Sequence, residues 1–173
     1  IPDSYPVIVE VQGDCKFNDS IRKIENSSDI SRVFISECYD GMTQIEIDGN
    51  GQTVNINLLA LEENNIGHLN FNCKGEASII IHLSGKADWT GLHITGNIDK
   101  NSNIGYGFVN ELESNSKLLR CEDWNVHRDS TLEYAELSIG GLRNKTDIRT
   151  NLLEYNSELN QAVAVYGMDE RHD

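Results

Sequence analysis

Hydrophobic and polar residues alternate in short runs along most of the chain. Val54, Ile56 and Leu58 alternate with Asn55 and Asn57, and Leu69 and Phe71 alternate with His68, Asn70 and Asn72. Ile79, Ile81 and Leu83 share one parity, and Leu92 and Ile94 flank His93. Thr146, Ile148, Thr150 and Leu152 alternate with Asp147, Arg149 and Asn151. Leu159, Gln161, Val163 and Val165 also share a parity, which predicts Val163 and Val165 facing a core and Ala162 and Ala164 facing away. A period of two is that of half-buried strands, not of helices.

The parity slips in the stretch STLEYAELSIGG. Leu132 and Tyr134 agree, whereas Leu137 and Ile139 are out of phase with them, which predicts a bulge or corner near Ala135. Helical periodicity is scarce. Residues 19–30 and 57–65 are the two candidate helical segments. The prolines are Pro2 and Pro6, so Gly, Asn, Asp and Ser must make the turns. Asp40-Gly41 and Asn50-Gly51 have the form of hairpin turns and fall within a less regular lead-in, residues 1–52.

Beyond residue 66 one phrase keeps restarting. Asn101-Ser102, Asn115-Ser116 and Asp129-Ser130 begin at intervals of 14 residues, and Asn156-Ser157 follows Asp129 by 27. A polar turn and an apolar strand repeated at fixed spacing define a solenoid. Two strands per coil give a coil of about 27 residues, with successive coils stacked at ~4.8 Å. The fold expected is all-β, a single parallel β-helix domain over residues 1–173. A jelly roll or sandwich is the competing architecture. The abundant Asn should stand in outward ladders and in turns, where its amide satisfies backbone groups.

Composition narrows the function. The chain has 173 residues, 28 acidic against 14 basic, and a formal charge of −14. No basic face is available for a nucleic-acid backbone. No apolar run approaches the length of a membrane span, and no signal-peptide pattern is visible. Cys15, Cys38, Cys73 and Cys121 are separated by 23, 35 and 48 residues. That spacing contains no close pair for a zinc or ferredoxin-type site, and points to reduced thiols in a cytoplasmic protein.

The segment DSTLEYAELSIGGLRNKTDIRTNLLEYNSELNQAVAVYGMDERHD resembles the core of the SufB/SufD family of iron–sulfur cluster assembly proteins. The matching features run in order: Ile139-Gly140-Gly141, a strand with Arg143 and Asn144, and an aliphatic strand ending in Leu152-Leu153. A polar turn, the strand SELNQAVAVYG and His172-Asp173 follow. Glu154-Tyr155-Asn156 stands where the family has a Gly-containing corner. The resemblance implies a right-handed parallel β-helix that serves as a scaffold rather than as an enzyme. It implies an ABC-type ATPase partner and pairing with a SufB/SufD-type chain or with a second copy, as a homo- or heterodimer. It implies no cofactor on this chain alone, the iron–sulfur cluster belonging to the full complex. The family's cluster-forming Cys and His lie in a C-terminal part that has no counterpart in residues 1–173. A carbohydrate-active β-helix using outward carboxylates, usually secreted, and a plain interaction solenoid are the alternatives.

Few residues suggest chemistry. Cys121 is the candidate thiol and a candidate metal ligand, because B-type members of the resembled family carry a Cys, implicated in sulfur transfer, shortly before a comparable Ser-x-apolar strand. Glu122 and Asp123 should raise its pKa, and Arg120 and Arg128 should lower it. As a packing residue it shares parity with Leu119, and Cys73 shares parity with Leu69 and Phe71, which predicts both as buried. Cys15 and Cys38 are about one short coil apart. His68 and His93, 25 apart, should lie one above the other on the outside, where stacked imidazoles can bind a metal but are more often surface polar residues. His127 and His172 sit in polar turns. No P-loop and no Ser-His-Asp constellation is present.

Overall fold

The computed structural model describes residues 3–21 and 29–167. They form a parallel β-helix of about five turns with one short helix. Strands β4 (Gly41–Ala60) and β5 (Asn64–Gly85) each make nearly a whole coil. The next three coils split into two strands each: β6 (Trp89–Ile98) with β7 (Asn103–Leu112), β8 (Lys117–Val126) with β9 (Thr131–Ser138), and β10 (Arg143–Leu152) with β11 (Glu158–Val165). Successive coils pair in parallel throughout. One face is built from the first halves of β4 and β5 and from β6, β8 and β10. The other holds the second halves of β4 and β5 and β7, β9 and β11. Paired residues are 25 apart at Val54 and Ile79 and 28 apart at Asn103 and Thr131, so the coil length expected from the restarts holds.

The restarts are the corners. Asn101, Asp129 and Asn156 all have φ between 55° and 57°, the left-handed conformation that lets the chain turn sharply. Asn and Asp enter that region more readily than other non-glycine residues. The serines after the first two of these turns stitch coils together, whereas Ser157 Oγ donates to the Glu154 carbonyl within its own turn. Ser102 Oγ accepts from the Gly75 N–H at 3.0 Å, and Ser130 Oγ accepts from the Ser102 N–H at 3.1 Å. Asn115-Ser116 belongs to the opposite corner, where the Ser116 carbonyl accepts from Leu142 N–H. In the first two coils glycine does the same work without interrupting the strand. Gly49 pairs with Gly75, and a Cβ on either would overlap the other coil's backbone.

Inside, the first two coils are aliphatic: Ile45, Ile47, Val54, Ile56, Leu58, Leu69, Ile79, Ile81 and Leu83 are at most 2% exposed. Each such side chain removed from water contributes about 1.5–3 kcal/mol. Outside, Asn72, Asn97, Asn125 and Asn151 occupy one column of the register, with Asn151 Nδ2 donating to Asn125 Oδ1 at 3.0 Å. Val163 and Val165 take the inward column above Glu136 and Ser138, as their parity predicts. No further coil covers them among the described residues, and they are 51% and 65% exposed.

Three expectations are corrected. No bulge occurs at Ala135: β9 pairs with β7 in unbroken register from Thr131 to Ser138, and the inward place in the sequence pattern is taken by Glu136. Neither candidate helix forms as drawn. Lys16–Ile21 is strand β3, residues 22–28 lie outside the described residues, and the helix is α1, Ile30–Cys38. Residues 57–65 belong to β4, a turn and the start of β5. Neither dipeptide makes a hairpin: Asn50-Gly51 is a bulge within β4, with Gly51 at φ 97°, and Asp40-Gly41 leads from α1 into β4.

The lead-in caps one end of the solenoid. β1 (Tyr5–Pro6) pairs in parallel with β5, and β2 (Ile8–Gln12) and β3 run antiparallel along β4. At the other end β10 and β11 have no outer neighbour among the described residues. No helix among the described residues is long and apolar enough to cross a membrane.

Candidate functional site

The fourth coil carries charge on both sides of one strand. Along β8, Leu118, Arg120, Glu122, Trp124 and Val126 point inward, and Leu119, Cys121 and Asp123 point out. Arg120 and Glu122 are fully buried. Arg120 Nε lies 3.3 Å from Glu122 Oε1, Nη2 lies 2.5 Å from Glu136 Oε2, and the guanidinium carbon sits 3.8 Å from the centre of the Phe108 ring. Glu122 accepts from Trp124 Nε1–H at 2.9 Å and from Tyr106 Oη–H at 3.1 Å. Tyr134 Oη stands 3.2 Å from Glu122 and 3.4 Å from Glu136, and its one proton serves either carboxylate. Gly96 makes room for this layer, because a Cβ there would overlap the Trp124 ring.

Burial pushes the Glu122 carboxyl up, with Arg120, Trp124 and Tyr106 working against that rise. The ring N–H and the phenols hydrogen-bond the Glu122 carboxylate, whereas Arg120 meets Glu122 and Glu136 as ion pairs without a well-directed hydrogen bond. The cluster couples the two faces, since Arg120 and Glu122 come from one and Glu136, Tyr106 and Tyr134 from the other. A one-residue slip of either strand would turn these groups outward and leave their partners buried and unpaired.

On the outer side of the same strand lies a column formed by His68, His93, Cys121 and Asp147, one residue from each successive coil. The two imidazoles stack as their spacing predicts, with centroids 4.9 Å apart and planes 10° from parallel. They are not surface residues, however: His68 is 6% and His93 4% exposed. Helix α1 lies over them. Asp29 caps it, Oδ1 accepting from the Ser31 and Arg32 N–H groups at 3.1 Å. Ile35 packs with Ile66 and Cys121, and Phe34 meets Trp89 edge-on. Arg32, 4% exposed, donates from Nε to Asp123 Oδ2 at 2.8 Å, from Nη2 to Asp123 Oδ1 at 2.9 Å and from Nη1 to Asp147 Oδ2 at 2.9 Å. His93 Nε2 lies 2.7 Å from Asp123 Oδ2. Burial would raise the Asp123 carboxyl, but the bonds from His93 and Arg32 prevail and hold it at about 2.

Cys121 is buried, but between sheet and helix, not inside the coil. Desolvation pushes its thiol up to about 11 despite Arg32. Arg120, one of the two cations that its sequence neighbourhood offered, faces the other way. Cys73 lies inside, in the column of Ile47 and Ile98, and burial pushes its thiol up to about 12. Cys15 packs against the main core and Cys38 belongs to the cluster under α1, so they do not stack. His127 bonds Asn97 Oδ1 through Nε2 at 3.0 Å, and His172 lies outside the described residues. Among the described residues no three Cys, His, Asp or Glu side chains are grouped as a metal site requires. A groove of about 680 Å³ is lined by Asp14, Glu46, Asp48 and Asp99, with Cys15 and Cys73 also on its wall.

The geometry defines a parallel β-helix with a buried ionic layer and a helix-covered outer column. Comparison with protein-family models, with curated proteins and with solved structures found no match.

Proposed function

We propose that the chain is a scaffold module of the SufB/SufD type, a cytoplasmic non-enzymatic subunit working with an ABC-type ATPase. The observation that carries this reading is where the resembling segment falls. Gly140-Gly141 makes a coil corner, with Gly141 at φ 86°, and Arg143 and Asn144 open β10. The departure at Glu154-Tyr155-Asn156 has a physical account: Asn156, at φ 56°, adopts the left-handed conformation that a corner glycine would supply.

The test is co-expression with the ABC-type ATPase encoded nearest its gene and a SufB/SufD-type chain, followed by size-exclusion chromatography with light scattering. Co-elution in fixed stoichiometry supports the reading. Elution apart from both, as a monomer at tens of micromolar, contradicts it.

A further inference from the structure

We propose that helix α1 is a strap, latched by Arg32, that opens ahead of the solenoid and so controls access to the His68–His93–Cys121 column. Three observations carry this. First, the latch is polar and one-sided. Asp29, Ser31 and Arg32, all at the helix start, meet Asp123, Asp147, Lys145 and Arg149, all on β8 and β10. Secondly, the apolar footing is small. Ile35 is the one apolar side chain of α1 that is fully buried, whereas Ile30, Val33 and Phe34 are 82%, 36% and 37% exposed. Thirdly, no backbone ladder ties α1 to the sheet, whereas every strand of the coils beneath is bonded to its neighbours along its length. An element held by few buried contacts opens at lower free energy than the core it covers.

What the strap covers is chemically distinct from the rest of the outer surface. Two imidazoles and a thiol stand in consecutive coils beneath it, and Cys121 has no exposure while it is closed. The strap thus shields a thiol that stands between the stacked His93 on one side and Asp147 on the other until Arg32 lets go. This holds whether or not the chain is a SufB/SufD-type scaffold.

The four thiols supply an internal control. Cys73 points into the coil at the floor of the groove beside Cys15, so it reports opening of the coils at a corner away from the strap, and Cys121 reports the strap. The full chain is alkylated with N-ethylmaleimide in a time course, and each cysteine is followed by peptide mass spectrometry. Cys121 is expected to react before Cys73 in the wild type. Arg32→Gln should speed Cys121 by about tenfold or more with Cys73 unchanged, because labelling follows the open population. Removing the guanidinium by itself makes the Cys121 thiol less acidic, so a faster rate reports access and not reactivity. Arg32→Lys should fall between, and Arg149→Gln, on the exposed side of the latch, should act in the same direction more weakly. Protection of Cys73 certifies that each variant is folded. Cys121 and Cys73 reacting together in the wild type and in these variants, or Cys121 in Arg32→Gln reacting at the wild-type rate, overturns the proposal.

Discussion

Arg120 and Glu136 meet across the interior of the solenoid, one from each face, with Nη2 2.5 Å from Oε2. Glu136 stands in the inward column between Phe108 and Val163, where the sequence pattern calls for an apolar residue. A buried charge without its partner is costly, whereas an apolar replacement of the whole group is not. Arg120→Met should therefore destabilise the protein by about 3–5 kcal/mol in urea melts. Replacing Arg120, Glu122 and Glu136 together by Met, Leu and Leu, with Tyr106 and Tyr134 changed to Phe, should recover most of the loss, leaving the Trp124 N–H as the donor without its acceptor. A single variant as stable as wild type would mean the pair is not desolvated.

That pair also explains where the sequence stopped being legible. The alternating runs place Val54, Ile56, Leu58, Ile79, Ile81 and Leu83 correctly, because in the first coils inward means apolar. In β8 and β9 the inward positions hold Arg120, Glu122 and Glu136, and a parity rule that sorts by hydrophobicity reads the charge as a slip. The alternative signal was Leu118, Trp124 and Val126, which share the parity of Arg120 and Glu122. Helix α1 was missed although Ile30, Val33, Phe34 and Cys38 stand at helical spacing, because the helix is short and starts at the last residue of the segment drawn as helical, and the apolar side chain it buries fully, Ile35, lies off that stripe. Its cap, Asp29, was the available mark of its start. The stacked His68 and His93 were legible from coil length, but their burial was not, since it depends on a helix from elsewhere in the chain.

Parity itself can be tested on adjacent residues. Ile81 is fully buried and Ile80 is 42% exposed on the same strand. Ile81→Asp should cost on the order of 4 kcal/mol, and Ile80→Asp less than about 1 kcal/mol, in matched denaturant melts. Equal losses would contradict the assignment of β5. Val163 is a weaker probe, because its inward position lies half open to solvent.

The corners make a conformational prediction. Asn101 is exposed at φ 57°, so Asn101→Gly should change stability by no more than a few tenths of a kcal/mol. Asn101→Val, which must force a β-branched side chain into the left-handed region, should cost about 1–2 kcal/mol. Thermal melts of the two variants decide it, and equal stability would remove the conformational account of the restarts.

Acid should weaken the latch before it unfolds the coils. The Asp123 carboxyl is held at about 2, below its usual 3.8, by His93 and Arg32 against the opposing effect of burial. A depressed folded pKa contributes stability that is present in full above pH 3.8 and is lost as pH falls through about 2. Asp123→Asn should be less stable than wild type at neutral pH and should lose less between pH 4 and pH 2, read by denaturant melts at each pH. A parallel acid limb in both proteins would contradict the assignment.

The proposed scaffold role places the chemistry in an assembly and expects no cluster on this chain alone. The most direct measurement is anaerobic reconstitution with iron and sulfide, followed by desalting and by assay of iron and acid-labile sulfide per chain. The account predicts that the isolated chain retains neither, and that the complex with its ATPase and SufB/SufD-type partner retains both. A stoichiometric cluster on the isolated chain, abolished by Cys121→Ser, would contradict it and make Cys121 a ligand.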